Sequence, residues 1–238
     1  MRSRTLIANA FRWIALFCPF ILHAQQNKTA SEIPQTRTAS EILTRSQALS
    51  IVNDSVKKAF KIDYPIYRVY KYTDVSGQYF CVLTESTDSI ATNAEGEPDT
   101  AHHTIRAIDL KLDNGKFTKV WEINDFILKN GSEISIWFWT KFCEFQDLDN
   151  DGLIDPIIVY GSHSMDEING NRVKFIIYYK GQKIAIRHQD SDLDEARSTE
   201  VDKTFHPLPQ KLKDAVKAEM LLINKAGLAI FERAALNQ

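Results

Sequence analysis

Along most of the chain the apolar residues come in short runs separated by turn-forming residues. Between positions 66 and 186 this pattern predicts strands. Residues 66–73 and 78–84 flank Ser76-Gly77, residues 104–112 and 116–123 flank Asp113-Asn114-Gly115, and residues 173–179 and 182–188 flank Lys180-Gly181. Each break holds a glycine, which a tight turn accommodates at positive φ, so each pair of runs predicts a hairpin. Residues 133–145 form one long β-rich run, and residues 156–160 a short strand that is apolar on both faces.

Outside this region the period is helical. Thr38 and Glu41 have the spacing of a capping box, and Leu49, Val52, Val56 and Phe60 follow at helical intervals. Tyr64-Pro65 ends that segment, because the residue before proline avoids the helical region. Further on, Pro207 and Pro209 suit a helix start, Leu212, Val216, Met220 and Ile223 form an apolar stripe, and Gly227 suits the C-terminal cap. The expected fold is α+β and mainly antiparallel β. It is a meander, or a small open-barrel or propeller-like set of sheets, with an N-terminal and a C-terminal helix.

The first residues follow neither pattern. Arg2, Arg4 and Arg12 accompany an apolar run at 13–22, and Leu22-His23-Ala24 places a small residue for cleavage. That is the form of a secretory signal peptide over residues 1–24. The run is too short to cross a hydrocarbon core of about 30 Å as a helix. Residues 25–37 are polar and suit a flexible leader, and residues 38–238 are expected to form a single calcium-binding, β-rich domain. An exported protein, periplasmic or at the cell surface, follows as the expectation, with no transmembrane segment in its mature part.

Composition adds mainly exclusions. With 44% hydrophobic and 25% charged residues the chain is neither collagen-like nor low-complexity nor a disulfide-dense mini-protein. A net charge of −2 gives no basic footprint for nucleic acid, and loss of the leader's arginines makes the remainder more acidic. Cys81 and Cys143 are the cysteines outside the leader. An even pair in an exported protein permits a disulfide, and both sit in apolar runs where a free thiol also fits.

The run 147–155, Asp-Leu-Asp-Asn-Asp-Gly-Leu-Ile-Asp, carries the clearest chemistry. Asp147, Asp149 and Asp151 alternate, so on a tightly curled loop their carboxylates converge. Gly152 permits the sharp turn. Calcium takes six to eight oxygen ligands, and the Leu153 carbonyl and the Asp155 carboxylate suit the later ligand positions. The twelfth position is Ile158 where an EF-hand has Glu, and the flanks predict strands. The expectation is therefore a strand–loop–strand calcium site with Asp155 as its closing carboxylate. Magnesium, which keeps its waters, fits less well. Without a cation the four carboxylates would repel each other.

Other features are weaker. No HExxH, GxSxG or phosphate-binding glycine loop is present, and no catalytic residue is assigned. His188 and Asp190 could pair, although a hydrogen-bonded surface histidine is the plainer reading. The loop 162–171 offers Asp166, Glu167 and Asn169 as further ligands or partner contacts. Trp121, Trp137 and Trp139 suit either a sugar-stacking platform or the core.

The stretch 147–161, DLDNDGLIDPIIVYG, resembles the calcium loops of FG-GAP and VCBS repeats, in which an acidic loop leads directly into a buried strand. The longer stretch 144–209 resembles a bacterial exported family named for surface polysaccharide biosynthesis. It does so through that loop, NRVKFIIYYKGQKIAIRHQD, Leu193-Asp194 with Arg197, Val201-Asp202-Lys203 and Leu208-Pro209. This resemblance implies a link to envelope polysaccharide and supplies no catalytic motif. More weakly, the chain is similar in size and pattern to small periplasmic immunity proteins that carry one such loop and inhibit cell-wall hydrolases. The expected function is that of an exported, calcium-binding, non-catalytic envelope protein that binds or supports surface polysaccharide assembly. The alternatives are a periplasmic inhibitor of a peptidoglycan hydrolase and a glycan-acting enzyme. Calcium is the expected cofactor, and envelope polysaccharide or a cell-wall-acting protein the expected partner.

Overall fold

The computed structural model describes residues 38–92, 98–166 and 170–232, all within the unit Gln35–Gln238. The expected signal segment 1–24 and leader 25–37 lie outside the described residues. In chain order the elements are β1 Ala39–Ile42, α1 Arg45–Ile51, α2 Asp54–Phe60, β2 Ile66–Asp74, β3 Gly77–Glu85, β4 Ser89–Thr92, β5 Pro98–Ala101, β6 Thr104–Asp113 and β7 Lys116–Phe126. Then come β8 Glu133–Phe138, β9 Glu144–Gln146, β10 Asp155–Ser164, β11 Arg172–Tyr179, β12 Gln182–Gln189, β13 Ser198–Val201 and α3 Gln210–Lys225.

The strands form two antiparallel sheets, in the orders β1-β2-β3-β6-β7 and β13-β12-β11-β10-β8. Strand β9 also pairs with β10, and β4 with β5 makes a separate ribbon. Among the described residues no sheet closes into a barrel, and the fold is α+β with antiparallel β dominant.

Side-chain alternation explains the layering. Tyr70, Tyr72, Cys81, Leu83, Ile105 and Ala107 of the first sheet share one buried cluster with Ile158, Tyr160, Ile176, Tyr178 and Ala185 of the second. Their neighbours along the strands point the other way. Val69, Phe80, Val82 and Ile108 meet Ala48 and Val52 beneath the first helices. Ile157, Val159, Phe175, Ile177, Ile184 and Ile186 meet Leu212, Val216, Met220 and Ile223 of α3. The order is helices, sheet, sheet, helix. Central strands are thus buried on both faces, which is why β10 and β11 carry the apolar runs 156–160 and 175–179.

The three expected hairpins form. Asn114-Gly115 and Lys180-Gly181 each place two residues at positive φ, which suits the twist of the strands they join. The N-terminal helix begins later than its expected start. Residues 39–42 are strand β1, lying on β2 with Glu41 paired to Lys71 at 2.7 Å. The capping box is made by Thr44 and Gln47, and Asn53 caps a second short helix through a 3.1 Å bond from the Val56 N–H. Two side chains that cap helix starts therefore divide what the apolar spacing joins. The run 133–145 also divides. A 3₁₀ turn at Thr140–Phe142 separates β8 from β9, and both then pair with β10. The β4–β5 ribbon carried no sequence expectation.

Both cysteines are free thiols, Cys81 in the layer between the sheets and Cys143 against β10. Burial pushes the Cys143 thiol up to about 12 and Cys81 well above its usual range, so neither is a ready thiolate.

Asp109 is fully buried between the sheets. Its Oδ2 accepts the Tyr72 hydroxyl at 2.9 Å, and its Oδ1 has no partner. Burial raises the carboxyl to about 7, against the Tyr72 bond and with help from the negative charge of Asp74. The folded protein therefore binds this proton more tightly than the unfolded chain does. Stability from this group is full below about pH 4 and declines as pH rises to about 7. Asp109→Asn is expected to lessen that decline in a series of urea melts across pH. An unchanged slope would remove Asp109 as its cause.

Candidate metal centre

The β9–β10 connection brings together the three alternating aspartates. One carboxylate oxygen from each of Asp147, Asp149 and Asp151 lies within 4.8 Å of the others, the one such group of three acidic, histidine or cysteine ligands among the described residues. Backbone N–H groups set the geometry. Asp147 accepts from Asp151 N at 3.1 Å and from Gly152 N at 3.0 Å. Asp149 also accepts from Asp151 N, at 3.1 Å, and Asp151 accepts from Leu153 N at 2.9 Å. Aspartate favours such short-range bonds, and they curl the loop before any ion arrives.

Two residues carry the tight bend, Asn150 at φ +65° and Gly152 at φ +88°. A β-carbon on Gly152 would also lie 2.9 Å from Val75 Cγ1. The loop is seated there on the β2–β3 turn. Val75 N–H donates to the Gly152 carbonyl at 3.0 Å, and Ile154 N–H donates to Asp74 Oδ2 at 3.3 Å.

The β11–β12 turn closes the other side. Tyr179 hydroxyl donates to Asp149 Oδ2 at 2.9 Å, and Lys180 Nζ lies 3.0 Å from Asp151 Oδ2 and 3.9 Å from Asp149 Oδ2. Burial opposes charge on Asp151, but the Leu153 N–H and the Lys180 ammonium outweigh it and hold the carboxyl below its usual range. The hydrogen bond to Asp151 in turn raises Lys180. Neither Tyr179 nor Lys180 was expected at the site. Their only sequence signal is the Lys180-Gly181 turn, which does not say what that turn touches.

Asp155 stands apart from the three. It begins β10, is 1% exposed, and its Oδ2 accepts the Leu148 N–H at 3.0 Å. Burial raises its carboxyl to about 7, against that bond, with the charges of Asp149, Asp151 and Asp147 adding to the rise. Leu153 adjoins the group through its N–H bond to Asp151.

The remaining candidates are dispersed. His188 is buried, with Nδ1 2.9 Å from Thr199 Oγ1, Nε2 3.5 Å from Asp190 and its ring against Phe231. It is a core group, not a surface histidine. Trp121 stacks on Tyr178 between the sheets at 4.0 Å, Trp139 is buried, and Trp137 is partly exposed. Asp166 lies beside β10, whereas Glu167 and Asn169 lie outside the described residues.

A triad of hard oxygen donors beside a curled, glycine-bent loop can hold a cation, and the carboxylates that Lys180 partly neutralises are those a metal ion would engage. No described helix is long and apolar enough to cross a membrane. No protein-family model matches the chain, and no curated protein or solved structure matches it.

Proposed function

We propose that the protein is an exported, calcium-binding, non-catalytic envelope protein that binds or supports components of surface polysaccharide assembly. The convergence of Asp147, Asp149 and Asp151 within 4.8 Å carries the calcium reading. All-oxygen donors favour a hard cation, and an open loop suits calcium over magnesium. Asp155 and the Leu153 carbonyl complete the proposed ligand set. The ion is structural in this reading, because the loop it orders ties the β2–β3 turn to the β11–β12 turn. The export and polysaccharide parts rest on the leader pattern and on the resemblance of residues 144–209.

Thermal melts of the purified protein test the ion. Calcium at about a hundredfold over its Kd stabilises by about 2.7 kcal/mol, which for a chain of this size raises Tm by several degrees. Asp149→Asn is expected to remove most of that shift. Identical wild-type melts in excess calcium and in excess chelator would overturn the calcium reading.

A further inference from the structure

The β11–β12 turn lays a lysine on the acidic loop. Lys180 Nζ lies 3.0 Å from Asp151 Oδ2, 3.9 Å from Asp149 Oδ2 and 5.0 Å from the centre of the Tyr179 ring. It is the one cation within 4 Å of the three aspartates among the described residues. The oxygens it meets are not those that shape the loop. Backbone N–H groups inside the loop take Oδ1 of Asp149, Oδ1 of Asp151 and both oxygens of Asp147. That leaves Oδ2 of Asp149 and Oδ2 of Asp151. The β11–β12 turn occupies both, the first through the Tyr179 hydroxyl at 2.9 Å and the second through Lys180. A cation that engages these two carboxylates without uncurling the loop therefore meets the ammonium in its way.

The backbone of the turn points the same way. Lys180 and Gly181 stand at φ +49° and +77° between the last paired residues of β11 and β12. The β6–β7 hairpin makes the equivalent turn with Asn114 and Gly115, at φ +48° and +75°. Asparagine is among the residues most at ease at positive φ, and lysine is not. The turn has no conformational use for a lysine at 180, whereas the side chain has a use on the acidic loop.

The ammonium is also free to leave. The Lys180 side chain is 52% exposed, against 13% for Asp149 and 25% for Asp151, so its head group can turn into water without unpacking the core. One positive charge does not balance three carboxylates, and a divalent ion cancels more of the deficit from the same place.

We propose that Lys180 is a resident counter-cation of the acidic loop, which calcium must displace, and that it sets the calcium concentration at which the loop fills. The proposal deepens the calcium reading given above and rests on it. With calcium scarce, the ammonium steadies Asp151 and Asp149 and holds the β11–β12 turn on the loop. With calcium bound, the lysine head group is released to solvent, so ion occupancy changes the exposure of one identified amine.

Calorimetric calcium titrations of the full-length protein test it with two variants. Lys180→Met keeps the length of the side chain and loses its charge, and Lys180→Arg keeps the charge. In low salt Lys180→Met is expected to bind calcium about fivefold tighter than the wild type. The difference is expected to shrink as salt rises. Lys180→Arg is expected to bind no tighter than the wild type, since its guanidinium can take the same carboxylates. In the wild type, acylation of Lys180 by an amine reagent, read by peptide mass spectrometry, is expected to quicken when calcium is added. In a wild type that binds calcium, three results would each overturn the proposal and leave the calcium reading standing. They are an affinity in Lys180→Met no higher than wild type, an equal gain in Lys180→Arg, and a labelling rate that calcium leaves unchanged or slows. Calcium binding by Lys180→Met but not by the wild type would sink only the calcium reading. Binding by neither would remove both.

Discussion

Gly161→Ala is expected to cost about 3 kcal/mol or more, seen as a lower urea midpoint with an unchanged m-value. Gly161 sits in β10, paired with Val173 of β11 on one side and Trp137 of β8 on the other. A β-carbon there would lie 2.5 Å from Trp139 Cζ2, 2.7 Å from its Cε2 and 2.8 Å from the Arg172 carbonyl oxygen. Trp139 is buried and held by packing alone, since its Nε1 has no partner, and Phe142 and Trp137 flank it. The Arg172 carbonyl belongs to the neighbouring strand and cannot yield without loosening the pairing. The backbone conformation of Gly161 is ordinary, so the effect is steric and not conformational. Repeating the substitution in a Trp139→Leu background separates the parts. Relief there measures the indole clash, and the remainder measures the carbonyl. A cost below about 1 kcal/mol in wild type would show that β10 has slack this packing denies.

The strands and hairpins were legible because a two-residue period and a glycine turn are local properties. Asn114-Gly115 and Lys180-Gly181 announce themselves without reference to the rest of the chain. The stripe of α3 was equally plain, since Leu212, Val216, Met220 and Ile223 all reach one cluster. The first helix starts six residues beyond the Thr38–Glu41 spacing because residues 39–42 pair with β2 and the capping box forms at Thr44 and Gln47. Nothing local in residues 38–42 records that β2 has an open edge. The break at Asn53 has a similar cause, since an N-cap side chain outweighs the apolar spacing across it.

The acidic loop was legible for the same local reason, as its own N–H groups curl it and its own aspartates converge. Its surroundings were not. Tyr179 and Lys180 reach it from a hairpin about thirty residues onward, and their roles depend on how β10 and β11 pair.

Asp74→Ala is expected to lower stability by about 3 kcal/mol in chelator and, separately, to weaken calcium binding about tenfold. The Asp74 carboxylate is buried at the end of β2. It accepts from Ser76 N at 2.7 Å, from Ser76 Oγ at 2.6 Å and from Ile154 N at 3.3 Å. Its Oδ1 shapes the hairpin turn, and its Oδ2 fastens the exit of the acidic loop to that turn. Truncation leaves the Ile154 N–H buried without an acceptor and frees the turn, so both contributions are lost together. Calcium affinity falls as well, because of the loop's two bonds to the β2–β3 turn only that from Val75 N–H to the Gly152 carbonyl then remains, and more of the loop's order must be supplied at the moment of binding. Asp74→Asn retains one carbonyl oxygen and is expected to fall between wild type and alanine. Ser76→Ala removes the hydroxyl's bonds to Asp74 and to the Tyr79 hydroxyl and leaves the Ile154 anchor, so calcium affinity is expected to hold. Urea melts in chelator, paired with calcium titrations of each folded variant, separate the two effects. Wild-type calcium affinity in Asp74→Ala would show that the loop is organised by its own aspartates and needs no seat on the β2–β3 turn.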